Sequence, residues 1–130
     1  MIIPDTSIWI EFFRQNMEYA PKVRELLENR EIYTLECIFA ELLQGAKNKR
    51  EIQLISDYWN YLPRLSIQGL WIDAGRYSSE NKLFSKGIGI IDCVIVMAAK
   101  RNYVQVWTLD KKLNNILDEN ERFIFPEAIN

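Results

Sequence analysis

Apolar and polar positions along this chain fall into short runs that switch period. Ile2-Ile3-Pro4 is an apolar run that ends on a carboxylate, Asp5, and passes through Thr6-Ser7 into an apolar-periodic segment. That order predicts a buried strand, a turn, and a helix over about residues 7–14. Pro4 sits awkwardly in a central strand because it cannot donate to the ladder, although the last strand residue can escape that demand. Pro21 suits the first turn of a second helix through residue 29, with Val23, Leu26 and Leu27 facing inward. Ile32-Tyr33-Thr34 marks a strand over 31–35. From residue 36 the pattern is helical, with Ile38, Phe39, Leu42, Leu43 and Ala46 on one broad face, Glu41 among apolar neighbours, and Gly45 near the end.

After the basic connector Lys47-Asn48-Lys49-Arg50, the helix expected over 49–62 carries two apolar stripes. Ile52, Ile55, Trp59 and Leu62 form one; Leu54, Tyr58 and Tyr61 form the other, their centres roughly 110° apart at 3.6 residues per turn. A face so wide reads as core plus a partner surface, and a deeply seated helix has the same appearance. Pro63 ends it, and 64–67 reads as a short strand. Leu70, Ala74, Tyr77 and Phe84 give helical spacing through residue 86. Gly87-Ile88-Gly89 is a loop with too few glycines for a dinucleotide fingerprint. It leads to Asp92 at the lip of a helix, Cys93 to Ala99, that is apolar on all sides and therefore buried. Residues 103–108 form the next strand, ending at Leu109-Asp110; 111–117 is helical, and Phe123-Ile124-Phe125 offers a last strand. Strands alternating with helices imply an α/β fold in a single domain over 1–130, with a mainly parallel sheet of four to five strands covered on both faces.

Composition narrows the chemistry. The chain is 48% apolar and 26% charged with a formal charge of −2, which argues against holding nucleic acid by bulk positive charge while leaving local basic patches open. No apolar run reaches the ~18 residues of a membrane span, and no signal-peptide pattern opens the chain, so the expected location is the cytoplasm. Cys37 and Cys93 match no disulfide framework or zinc spacing and read as buried thiols. The chain has no histidine. Ser-His-Asp and Cys-His schemes, histidine acid–base pairs and the usual catalytic zinc sites are thereby excluded.

What remains is carboxylates. Asp5 and Asp110 fall at the carboxyl ends of strands, where open α/β sheets bind ligands. Asp92 opens a buried helix, and Glu41 lies within an apolar face. Each aspartate is also a natural helix N-cap. If the four converge, each pair ~4 Å apart repels by roughly 4 kcal/mol at an effective dielectric of ~20. Either their pKa values rise or cations neutralise them. Mg²⁺ or Mn²⁺ is the natural partner, since such ions take carboxylate oxygens and activate water for phosphate chemistry.

Four motifs in register carry a resemblance across nearly the whole chain. They are Ile3-Pro4-Asp5-Thr6-Ser7-Ile8-Trp9-Ile10, Ala40-Glu41-Leu42-Leu43-Gln44-Gly45, Gly89-Ile90-Ile91-Asp92 and Thr108-Leu109-Asp110. Together they resemble a PIN domain, most closely the VapC-type toxins of toxin–antitoxin pairs. The resemblance implies a three-layer α/β/α fold and an acidic pocket for Mg²⁺ or Mn²⁺. It implies endoribonuclease activity on a structured RNA (tRNA or rRNA), by in-line attack of a metal-activated water that leaves 5′-phosphate and 3′-hydroxyl ends. It also implies a homodimer silenced by a small antitoxin whose tail occupies the site. Carried over, Asp5 and Asp92 are the principal metal ligands and Glu41 and Asp110 complete the set. Thr6 or Ser7 orients Asp5, unless both are plain turn residues. Lys47, Lys49, Arg50, Lys82, Lys86, Lys111 and Lys112 form a rim for phosphates, or are ordinary solvated cations. Trp9, Phe12, Phe13 and Tyr58 are expected mostly in the core. The alternative is a catalytically inactive PIN-fold module that binds RNA or protein; retention of all four acids argues against it. Haloacid-dehalogenase and receiver domains are excluded by Ser7 where a second aspartate is needed and by the isolation of Asp5; no P-loop is present.

Overall fold

A computed structural model describes residues 1–126 of the chain. Its centre is a parallel pair of short strands, β1 (Ile2–Pro4) and β2 (Gln105–Trp107), in the register Ile2–Gln105, Ile3–Val106 and Pro4–Trp107. Single parallel bridges extend this pair on both sides: Ile2 with Ile32, Thr34 with Arg64, and Val106 with Arg122. Five chain segments thus lie side by side, but among the described residues only two are strands, fewer than the four to five expected.

Pro4 is the physical reason on one flank. Ile2 donates to Glu31 O at 2.8 Å and accepts from Tyr33 N at 2.9 Å, so even-numbered residues of β1 face that neighbour. The next donor toward it would be the N–H that Pro4 lacks, and the ladder stops after one rung. Asp5, on the opposite parity, donates to Trp107 O at 2.9 Å and keeps the β2 side intact. The last segment pairs through Arg122 rather than through 123–125, with Phe123 N donating to Val106 O at 2.9 Å.

Among the described residues seven α-helices surround the pair: α1 (Thr6–Phe13), α2 (Ala20–Glu28), α3 (Glu36–Gln44), α4 (Lys49–Tyr61), α5 (Leu70–Glu80), α6 (Ile90–Asn102) and α7 (Lys111–Ile116). α1 packs on β1, α2 and α3, and α3 on α4; α5 packs on α6, which lies against β2. As its composition predicts, α6 is buried nearly all round: Cys93, Val94, Ile95, Val96, Ala98 and Ala99 are almost inaccessible. Each of its buried Val and Ile side chains contributes roughly 1.5–3 kcal/mol. Trp9 is fully buried in an aromatic cluster with Phe12, Phe13, Phe39 and Tyr58, ring centres 5.3–6.0 Å away. These rings belong to the core.

α4 buries Ile55 and packs Tyr58 on the Trp9 cluster while Ile52, Leu54 and Tyr61 stay exposed, which agrees with a core face plus an open apolar face and not with a deeply seated helix. One helix differs from expectation. α5 ends at Glu80, not at 86. Lys82 takes a left-handed conformation (φ 54°), Leu83 N donates to Ser78 O and Lys82 N to Ser79 O, and Leu83 is buried. These are the paired bonds and apolar contact that close a helix end. Residues Phe84–Lys86 then form a separate 3₁₀ turn, and Phe84 points into solvent instead of the core. No described helix is long and apolar enough to cross a membrane.

Candidate metal centre

Asp5 leaves the end of β1 and caps α1. Its carboxylate is buried, and both oxygens are engaged: Ser7 Oγ and the Ile8 N–H donate to Oδ1, and Thr108 Oγ1 donates to Oδ2. Each hydroxyl is itself aimed by a backbone amide of the turn after β2. Leu109 N–H donates to Ser7 Oγ and Asp110 N–H to Thr108 Oγ1, both at 3.0 Å. A hydroxyl accepting an amide proton keeps its own proton for another acceptor. Two amide–hydroxyl–carboxylate chains therefore converge on Asp5, one per oxygen. Burial raises the Asp5 pKa above its ordinary range, and these donors oppose the rise.

The other acids arrive on three different elements. Asp110 caps α7, its Oδ1 accepting Lys112 N–H at 2.9 Å. Glu41, half-buried on α3, accepts a 2.9 Å hydrogen bond from Thr6 Oγ1. Asp92 lies within the first turn of α6, whose cap is Gly89, so the capping explanation holds for Asp5 and Asp110 and fails for Asp92. Among the described residues Asp92 accepts no side-chain or turn hydrogen bond, and its pKa is pushed up to about 6. Burial is the main cause, followed by repulsion from Asp110, Asp5 and Glu41. All three carboxylates repel Asp92, and no cation is among the causes acting on it.

They do not close into a finished shell. Among the described residues no three Asp, Glu or Cys side chains are drawn together tightly enough to hold one ion. Mg²⁺ nevertheless keeps several of its waters and takes only one or two carboxylates directly. An open set of hard oxygen donors with uncompensated negative charge fits such an ion. A soft metal is disfavoured by the donor set: histidine is absent, and burial pushes the Cys37 thiol up to about 11.

Of the two hydroxyls offered for Asp5 one takes that role, and a third hydroxyl was missed. Thr6 orients Glu41, not Asp5; Ser7 does orient Asp5. Thr108 touches Asp5 from across the sheet and had no role assigned to it. Its signal was a hydroxyl residue two positions before an acid at the end of a strand. Glu41 also borders two clefts. One, of about 280 Å³, includes Ile10, Phe13, Leu54 and Lys47; the other, of about 460 Å³, includes Cys37, Ile67, Trp71 and Val94.

A short parallel sheet with helices on its crossovers, and Asp5 and Asp110 following its two strands, define an α/β protein. The chain belongs to the PIN domain family, whose model matches residues 2–118. It is 33% identical to ribonuclease VapC11 of Mycobacterium tuberculosis over 113 residues, spanning 82% of this chain and 84% of that protein. Among solved structures it is similar to VapBC2 of Rickettsia felis bound to a DNA fragment from its promoter, at 23% identity and TM-score 0.68, covering 94% of this chain and 96% of that one. A toxin–antitoxin complex from Klebsiella pneumoniae gives the same TM-score at 18% identity, covering 95% of this chain and all of the other. These two likenesses bear on the fold.

Proposed function

We propose that this chain is a metal-dependent endoribonuclease, the toxin of a type II toxin–antitoxin pair. The observation that supports the reading is the bonding that draws three acids to the start of α1: Thr108 links Asp5 to the Asp110 backbone, and Thr6, the next residue after Asp5, holds Glu41. The VapC relative supports ribonuclease chemistry, and the toxin–antitoxin complexes support a protein partner.

Asp5 and Asp92 would be the principal holders of Mg²⁺ or Mn²⁺, with Glu41 and Asp110 completing the set. When bound, such an ion supplies a water of lowered pKa and positive charge beside a phosphodiester. The chain's own residues do the positioning. Ser7 and Thr108 hold Asp5 in one orientation and favour its ionised form. Thr6 fixes Glu41, and the Lys112 N–H fixes Asp110. Asp92 is the group left free to gain or lose a proton. Rim cations hold RNA phosphates: Lys47, Lys49, Arg50, Lys82, Lys86, Lys111 and Lys112 form no ion pair among the described residues. The exposed apolar side of α4 fits the antitoxin or a second copy of the chain in a homodimer.

The test is cleavage of structured RNA, tRNA or rRNA, in Mg²⁺, in Mn²⁺ and in EDTA, by the wild type and by Asp5→Asn and Asp92→Asn. Cleavage confined to the wild type with metal is expected. Full activity in EDTA or in either variant refutes the reading. RNA binding without cleavage under every condition replaces it with an inactive binding module.

A further inference from the structure

The 3₁₀ turn between α5 and α6 presents a side chain that the fold does not use. Phe84 is 88% exposed. Its surroundings are not loose. Leu83 and Ile88, on either side, are buried, and Ile88 N and Gly87 N bond back to Leu83 O and Phe84 O, both at 3.1 Å. Ser85 Oγ donates to Lys82 O at 2.9 Å. An anchored turn thus holds an aromatic ring outward, where water contact is unfavourable for it.

Lysines neighbour the ring along the chain and from α7. Lys82 and Lys86 lie two residues to either side, and Lys112 reaches the turn from α7. The Lys112 amine lies 2.9 Å from where a Cβ at Gly87 would stand, so glycine there (φ 79°) leaves the room it occupies. Among the described residues none of the three lysines has an ion-pair partner; the acid nearest in sequence to Lys82 and Lys86 is Glu80, on α5. The same Lys112 donates its backbone N–H to Asp110. One residue therefore joins the turn to the acid set, and the same loop runs on into Asp92.

We infer that Phe84 is a stacking platform for an unpaired nucleotide beside the phosphate to be cut, with Lys82, Lys86 and Lys112 on its flanking phosphates. The inference rests on the ribonuclease reading and adds to it where the substrate is gripped and why it is single-stranded there. An aromatic face among unpaired lysines matches the two features common to every single-stranded nucleic acid, flat bases and a charged backbone. A duplex hides its base faces and offers the ring nothing.

The test measures affinity in EDTA, where metal-dependent cleavage does not interfere, for a short mixed-sequence single-stranded RNA and for the same sequence annealed as a duplex. Phe84→Ala and Phe84→Leu should weaken single-strand binding about tenfold, while Phe84→Trp retains it and duplex binding is unmoved by all three. Lys86→Ala should lower the slope of log affinity against log salt by about 0.7. Unchanged single-strand affinity in Phe84→Ala overturns the inference, as does full rescue by leucine or an equal loss on duplex. Unchanged RNA affinity together with loss of the co-purifying antitoxin also overturns it, making the turn a protein contact. Cleavage in Mg²⁺ is read separately: a wild type that cleaves, with Phe84→Ala binding and cleaving equally well, refutes only the platform. A wild type that never cleaves, while Phe84→Ala loses single-strand binding, refutes only the nuclease.

Discussion

Replacing Asp92 by asparagine should stabilise the metal-free protein and leave it inactive. In the fold Asp92 is pushed from the ordinary aspartate value of 3.8 to about 6, by burial and then by Asp110, Asp5 and Glu41. At 1.36 kcal/mol per pH unit that gap corresponds to roughly 3 kcal/mol. The side chain is only half-buried, so solvent screening reduces the figure to about 1–1.5 kcal/mol. A folded-state pKa above the unfolded one means that the fold binds the proton more tightly. The associated stability is complete below about pH 4, declines as the pH rises toward 6, and is gone above it. Asparagine keeps the shape and cannot ionise. At pH 8 in EDTA, Asp92→Asn should melt about 3–5 °C above the wild type, and at pH 4 the two should coincide. Saturating Mg²⁺ should raise the wild type by mass action and the variant much less. Thermal unfolding followed by circular dichroism at both pH values, with EDTA and with Mg²⁺, reads all four conditions. A variant that melts below the wild type at pH 8 in EDTA, or by the same margin at pH 4, would show that Asp92 is not under the repulsion argued here.

Other consequences are as direct. Thr108→Val removes a donor from buried Asp5 and orphans the Asp110 N–H, so stability should fall by about 1–3 kcal/mol and metal affinity or activity by ~10–100-fold. Isothermal calorimetry and denaturant titration check both; a neutral variant would deny the hydroxyl its role. Because Asp92 must be ionised to hold a cation, Mg²⁺ affinity should rise about tenfold per pH unit below 6 and level off above it. A flat profile from pH 5 to 7 counts against Asp92 as a ligand. Leu54→Glu on the exposed side of α4 should leave the melting temperature within about 1 °C and abolish co-purification of the antitoxin; an intact complex would move that interface elsewhere.

The parts of the molecule readable in advance were those fixed by local pattern. The apolar run ending at Asp5, the all-apolar face of α6 and the acid after β2 each follow from neighbours in sequence. The sheet was less legible because its hydrogen bonds are tertiary. Nothing in Ile32-Tyr33-Thr34 says that its partner strand reaches a proline at the second rung. The end of α5 was hidden for a different reason. Left-handed helix ends usually carry glycine, whereas Lys82 holds this one, and Phe84 happens to stay in phase with Leu70, Ala74 and Tyr77. Leu83, the residue buried in its place, is the better marker in hindsight. Thr108 escaped because a hydroxyl before an acid looks the same in a simple turn as in a carboxylate clamp.

The two central aspartates are prepared in opposite ways, and that contrast bears most on mechanism. Asp5 is the more deeply buried, yet hydroxyls bound to both of its oxygens and the Ile8 N–H satisfy it within the protein. Asp92 is more open, receives no such donors among the described residues, and bears the repulsion of three neighbours. Satisfied charge holds geometry, whereas unsatisfied charge supplies driving force for whatever neutralises it. The division assigns orientation to Asp5 and affinity to Asp92. Removing the Asp5 clamp should therefore misplace a ligand that still binds, whereas removing the Asp92 charge should lose the ligand and relax the fold.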